Sequence, residues 1–132
     1  ERARATSLDG TEVPYFLIRP ANAPASPSPT LLYGYGGFKI PVLADYRPGW
    51  SGWLAAGGVL VIANLRGGGE YGADWYDDGR RDNKQHVFDD VRAVAGHPEG
   101  GRGVVAGAAA PGELRKDVRE QVQDSVYGAM VK

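Results

Sequence analysis

Two glycine-rich words, each at the end of an apolar run, are where this 132-residue chain could do chemistry. Thr30 to Tyr33 leads into Gly34-Tyr35-Gly36-Gly37-Phe38, and Val59 to Leu65 leads into Arg66-Gly67-Gly68-Gly69-Glu70-Tyr71-Gly72. Loops at the carboxyl ends of strands are where an open α/β sheet builds a binding or catalytic site. Glycine in such a loop lets main chain approach another group with no Cβ in the way. The second word also matches G-x-G-x-x-G through Gly67, Gly69 and Gly72, the pattern of a dinucleotide-binding turn. That alternative needs the last glycine to open a helix and an acidic residue to close the next strand about twenty positions on. Asp89 and Asp90 fall near that distance but precede the helix-like Val91 to Ala95, so the context does not match.

Nucleophiles are harder to find. The chain has no cysteine, and its serines are Ser7, Ser26, Ser28, Ser51 and Ser125. A serine on a strained strand-to-helix turn needs small neighbours, as in G-x-S-x-G. Ser51 comes nearest, within Gly49-Trp50-Ser51-Gly52-Trp53, but Trp53 stands where the final glycine belongs and no strand leads into it. Of the two histidines, His86 reads as a partly exposed residue at a helix start, and His97 takes no role.

The elements that must hold these loops follow from periodicity. Ala3 to Leu8 and Glu12 to Arg19 alternate around Asp9-Gly10, which predicts a β-hairpin with a two-residue type I′ turn. Pro20 to Pro29 is Pro-rich and uncharged, hence an extended surface loop. Thr30 to Tyr33 is a short buried strand, and Gly34 to Gly49 a long loop punctuated by Pro41 and Pro48. Trp50 to Ala56 forms a short helix that turns Trp50, Trp53 and Leu54 toward the sheet and stops at Gly57-Gly58. Val59 to Leu65 is continuously β-branched and aliphatic, the pattern of a strand buried on both faces of a parallel sheet. Strand, helix, strand then gives a right-handed crossover and the α/β class. Asp74 to Gln85 is polar and mixed, and Val87 to Ala95 resumes helical spacing. Sheet-building ends near residue 95; Gly96 to Gly112 is rich in glycine and alanine, and Glu113 to Lys132 returns to a charged helical pattern with Leu114, Val118, Val122, Val126 and Met130.

Composition removes several function classes. A net charge of −1 and a pI near 6.1 supply no basic face for nucleic acid or an anionic membrane. The longest apolar stretch, Gly57 to Leu65, is too short to span a bilayer. No export signal is visible at Glu1 to Thr6, and the absence of cysteine fits a reducing compartment, so a soluble, cytoplasmic chain is expected.

Three words in order, LLYGYGGF, ANLRGGGEYG and NKQHVFDD, resemble the start of the peptidase domain of the prolyl oligopeptidase family, serine peptidases on the α/β-hydrolase fold. The resemblance covers about residues 6 to 95. It implies a partial α/β-hydrolase fold, an N-terminal hairpin plus the first parallel strands and helices, truncated before the nucleophile elbow. Residues 1–95 are then the N-terminal part of a peptidase domain, and 96–132 an atypical Gly/Ala-rich segment with a C-terminal helix. By resemblance, Tyr35 donates its hydroxyl to a tetrahedral oxyanion and Phe38 lines the pocket for a proline ring. Arg66 and Glu70 become structural ion-pair partners, and Asp89 or Asp90 satisfies free N–H groups near a helix N-terminus.

The family places its nucleophile in a GGSNGG-like word shortly after the FDD helix, with the Asp and His later; here Gly100 to Pro111 contains no serine. The implied function is that of a fragment of a peptidase cleaving short peptides after proline, inactive alone, with proline-containing peptides as partners and neither cofactor nor metal. One hypothesis for the tail is a frameshift, a deletion or a misassembled reading frame; the other is a genuine sequence. The alternatives are a non-catalytic binding remnant of the fold and the dinucleotide-binding module. Half a sheet exposes strand edges, so self-association is expected unless the helix at Glu113 to Lys132 covers them.

Overall fold

The computed structural model of the chain describes residues 1–23, 28–97 and 104–105. The helix expected over Glu113 to Lys132, most of the Gly/Ala-rich segment and the middle of the Pro-rich loop lie outside the described residues.

Strands β1 (Arg2–Thr6) and β2 (Glu12–Ile18) form the expected antiparallel hairpin, with Ala5 opposite Val13 and Ala3 opposite Tyr15. Its turn differs from the two-residue expectation. Ser7 N–H donates to the Thr11 carbonyl at 2.8 Å and Gly10 N–H to the Ser7 carbonyl at 3.0 Å, which makes Leu8-Asp9-Gly10 a three-residue connection. Gly10 alone takes positive φ, +87°, whereas a type I′ turn needs two such residues. The Thr11 N–H donates to Asp9 Oδ1, and this turn leaves the Asp9 carboxylate pointing at a buried arginine described below.

Strand β3 (Thr30–Tyr33), helix α1 (Pro48–Ala55) and strand β4 (Val59–Ala63) make the parallel strand-helix-strand unit read from the pattern. Pro48 occupies the first turn of α1, where its missing N–H costs nothing, and Gly57 at φ +90° ends the helix in the left-handed conformation. β4 pairs with β3 on one side and antiparallel with β2 on the other, and all five of its residues are buried.

Both faces of β4 are covered, which explains its unbroken apolar run. On one face Val61 and Ala63 join Val13, Tyr15, Leu17 and Leu32 beneath helix α3 (Lys84–Gly96), which contributes Val87 and Val94. On the other, Leu60 and Ile62 meet Val42, Trp50 and Leu54, with Trp53 Nε1 donating to the Val59 carbonyl at 2.8 Å. Between β4 and α3 lie the short helix α2 (Ala73–Asp77) and a single 3-10 turn, Arg81–Asn83.

A fifth strand, β5 (Val104–Val105), adds parallel to β3, beyond the point where sheet-building was expected to end. The order of the sheet is β1-β2-β4-β3-β5. Two valines among glycines carry too short a pattern to be recognised as a strand without the neighbour they pair with.

Candidate active site

The sheet order contains one topological switch. From β3 the chain passes to β4 on one side, while β5 pairs with β3 on the other, so the crevice of an open α/β sheet lies outside the carboxyl ends of β3 and β5. The first glycine word leaves β3 at that place. Tyr35 packs at the edge of the Val42, Leu60 and Ile62 cluster, and Phe38 lies 72 % exposed beyond it. The two rings face each other with centroids 6.3 Å apart and planes inclined by 32°.

The loop is held from beneath by the two elements that follow it. Gly36 has φ +62°, and a Cβ there would lie 2.5 Å from Val87 Cγ1 and 3.0 Å from the Arg66 carbonyl, so only glycine fits. The Lys39 N–H donates to the Gly67 carbonyl at 3.1 Å, and Lys84 Nζ to the Gly36 carbonyl at 2.6 Å. Burial pushes the pKa of the Lys84 ammonium down. Phe38 and Lys39 both adopt left-handed backbone, at φ +52° and +57°, a conformation that side chains rarely take and that collects at ligand-binding sites. That consecutive pair is what lifts the Phe38 ring clear of the core.

The second glycine word supports the first. A Cβ on Gly67, at φ +87°, would lie 2.6 Å from the Gly36 carbonyl oxygen, and one on Gly69 would collide with the Lys39 carbonyl. The space at these glycines is filled by the chain's own backbone, which accounts for them without a phosphate. Helix α2 after Gly72 has only five residues, and Asp89 and Asp90 sit inside α3, so the supports a dinucleotide fingerprint requires are not assembled.

Arg66 is the hub of the site's scaffold, and its partners correct the expected pairing with Glu70. Its guanidinium, 1 % exposed, meets Asp90 through Nε at 3.0 Å and Nη2 at 2.6 Å, Asp9 through Nη1 at 2.5 Å, and Asp78 through Nη1 at 2.8 Å. Nη2 also donates to Ser7 Oγ, and the Arg66 N–H to Asp90 Oδ2. One cation thus ties the hairpin turn, the end of α2 and the middle of α3 to the start of the second loop. The guanidinium holds the Asp9 carboxyl well below the usual carboxylate range. Glu70 turns to the other layer, where Oε1 accepts from the Val42 N–H at 2.9 Å and Oε2 is buried without a partner among the described residues.

Asp90 is likewise not a helix cap. Helix α3 begins at Lys84, so Asp89 and Asp90 lie more than a turn inside it; Asp90 is fully buried on Arg66, and Asp89 accepts from Gln85. The helix starts three residues before its apolar spacing, with Lys84 and His86 of its first turn bonded to the Gly36 and Asp78 carbonyls of other elements. His86 is half-buried in the first turn, as expected, with Nδ1 3.0 Å from Asp78 Oδ1. His97 follows α3, and its Nδ1 lies 2.7 Å from the Tyr15 hydroxyl, a packing role that its place in the sequence did not suggest. Asp9, Asp78 and His86 bring ligand atoms within 4.8 Å of one another, but Arg66 Nη1 already bridges the two carboxylates there.

No serine among the described residues hydrogen bonds a histidine. Ser7 is buried against Arg66, and Ser51 lies in α1, on the element that covers the sheet. A separate groove of about 560 Å³ runs between the hairpin and the second loop, past Phe16, Val42 and Glu70; Tyr35 and Phe38 do not line it.

The family model described as "Prolyl oligopeptidase family" matches residues 48–98, the segment from α1 to the end of α3. An uncharacterized peptidase of Sinorhizobium fredii is 48% identical over 93 residues, 69% of this chain and 13% of that protein. This chain belongs to the prolyl oligopeptidase family. Prolyl oligopeptidase A of Amanita bisporigera is 32% identical over 133 residues, 95% of this chain and 18% of its own length. Among solved structures, a chain from a study of two prolyl endopeptidases superposes with a TM-score of 0.76 at 45% identity, over 81% of this chain and 17% of that one. Oligopeptidase B from Trypanosoma brucei gives 0.75 at 33% identity, over 81% and 16%. The chain therefore spans less than a fifth of the length of these relatives. Its fold is the corresponding N-terminal part of an α/β-hydrolase. Among the described residues no helix is long and apolar enough to cross a membrane.

Proposed function

We propose that this chain carries the oxyanion and proline-ring side of a peptidase site that acts after proline in short peptides. The observation that carries this is the pairing of Tyr35 and Phe38 on a glycine loop at the switch point of the sheet. The Tyr35 hydroxyl donates to the oxyanion of a tetrahedral intermediate, which needs a donor fixed before the charge develops. The exposed Phe38 ring supplies a flat apolar face on which a proline ring packs.

The chain binds through this side and does not hydrolyse alone. In an α/β-hydrolase the nucleophile stands on the turn after a strand, at the carboxyl end of the sheet. Here β5 pairs beside β3, and residues 106–112 that follow it read Ala-Gly-Ala-Ala-Ala-Pro-Gly, with no hydroxyl or thiol. We also assign residues 1–95 to the peptidase domain, to which β5 adds one strand beside β3, and the Gly/Ala-rich remainder of 96–132 to an atypical segment, in a reducing, cytoplasmic setting that suits a chain without cysteine.

The test is incubation of the purified chain with an N-blocked Gly-Pro anilide and, separately, with a serine-directed phosphonate. The expected result is no turnover and no labelled serine, together with saturable binding of a blocked Gly-Pro amide that Phe38→Ala abolishes. Inhibitor-sensitive turnover by the pure chain would overturn the absence of a nucleophile, and binding unchanged in Phe38→Ala would overturn the placing of the proline ring.

A further inference from the structure

We propose that Lys84 is a positioning residue for the 34–39 loop: its ammonium, anchored on the Gly36 carbonyl, sets the peptide plane that aims Tyr35 and Phe38. The proposal rests on the reading of those two residues as the peptide-binding side of the site.

Lys84 is half-buried and makes no ion pair with any carboxylate among the described residues. A partly desolvated ammonium with no counter-ion costs stability, so its placement calls for a local explanation. Its partner is a main-chain carbonyl at 2.6 Å, the short distance of a charge-assisted bond, on the residue between Tyr35 and Gly37. Gly36 is the corner of the loop, at φ +62°. The direction of its carbonyl fixes the plane of the 36–37 peptide and hence where the chain leads on either side. The Tyr35 ring and the Lys84 ammonium flank Gly37, since a Cβ there would lie 3.6 Å from Tyr35 Cε1 and 3.9 Å from Lys84 Nζ.

The lever is rigid at its other end. Val87, one turn on from Lys84, is 2 % exposed and closes against the same Gly36, so the first turn of α3 grips the corner from two sides. Val87 supplies shape and Lys84 supplies direction, because a carbonyl can rotate away from a methyl group but loses its donor when it leaves an ammonium. The neighbouring left-handed residues, Phe38 and Lys39, are costly conformations that persist only when their surroundings over-determine them. Beyond Phe38 the loop is fastened by the Lys39 N–H on the Gly67 carbonyl; before it, Lys84 supplies the side-chain anchor.

The experiment is NMR on the full chain and on its Lys84→Met and Lys84→Arg variants, with titration of a blocked Gly-Pro amide. In the wild type, contacts between the Lys84 side chain and Gly36 are expected, together with ring-to-ring contacts between Tyr35 and Phe38. In Lys84→Met the Gly36 carbonyl carbon is expected to shift upfield, the Tyr35–Phe38 contacts to disappear, and the peptide to bind about ten-fold more weakly, the loss of one charged hydrogen bond. Lys84→Arg, which restores a charged donor, is expected to recover all three. Absence of the Lys84–Gly36 contact in the wild type overturns the proposal without any variant, as do unchanged loop signals in a folded Lys84→Met chain, or a folded Lys84→Arg chain that behaves like Lys84→Met. A wild type that shows Lys84-dependent loop signals but binds no proline peptide supports the positioning role and refutes the peptide-binding reading on which its purpose depends.

Discussion

Replacing Arg66 by methionine tests whether the ionic hub holds the loops of the site together. The substitution keeps an unbranched stem but removes the cation from a position that is 1 % exposed, and it leaves Asp90, 0 % exposed, with only the main-chain N–H of residue 66 as a partner among the described residues. An unpaired buried charge of this kind costs about 3–5 kcal/mol. A domain of ordinary stability holds about 5–15 kcal/mol, so the loss is a large share of the total. With a urea slope of about 1.5 kcal/mol/M, the unfolding midpoint drops by roughly 2 M or more. Tryptophan fluorescence follows the transition, since Trp50 packs on one face of the sheet and Trp75 donates to the Leu65 carbonyl beside the hub.

The same geometry ranks two of the three carboxylates. Asp90 is fully buried with bidentate contacts, whereas the Asp9 side chain is 38 % exposed, so Asp9→Asn is expected to cost only about 1 kcal/mol. The double variant Arg66→Met/Asp90→Leu exchanges the buried pair for apolar groups and recovers most of the stability, because desolvation of both charges is removed together. A cost below about 1 kcal/mol for Arg66→Met, or equal costs for Asp9→Asn and Asp90→Asn, would refute the reasoning; the benchmark is again the cost of leaving a buried charge unpaired.

The hub also sets the response to acid. Because the folded-state pKa of Asp9 is depressed, its pairing contributes stability above the unfolded carboxylate pKa of about 3.9 and loses it as pH falls toward the folded value. The urea midpoint is therefore expected to be level above about pH 5 and to fall below about pH 4, less steeply in Asp9→Asn; a wild-type midpoint that does not move in acid contradicts this. Two glycines with the same φ separate strain from collision. Gly10→Ala, where nothing lies within 4 Å, is expected to cost about 1 kcal/mol, and Gly67→Ala, where the new Cβ meets the Gly36 carbonyl, clearly more. Equal midpoints for the two variants in urea titration would remove the case for tight loop-on-loop packing.

Much of the architecture was legible in the residues. Val59 to Ala63 announces itself as a central strand because both its faces are covered, and Gly57 marks the end of α1 because only a residue tolerant of positive φ fits there. The glycine words located the loops at the carboxyl ends of β3 and β4, since glycine is the residue that close backbone approach demands. Charge pairing was not legible. Arg66 stands four positions from Glu70 and twenty-four from Asp90, yet it chose Asp90, together with an aspartate fifty-seven residues earlier in the hairpin turn. Sequence distance carries no information about which carboxylate a guanidinium meets once strands and helices are stacked in layers. The short strand β5 and the grip of Lys84 on Gly36 are of the same kind. Two valines become a strand only beside β3, and a lysine becomes an anchor only when the first turn of α3 lies over the loop. Local pattern determined the elements and the positions of their glycines; their stacking decided which polar groups meet, because a buried polar group takes the partner that packing brings within reach.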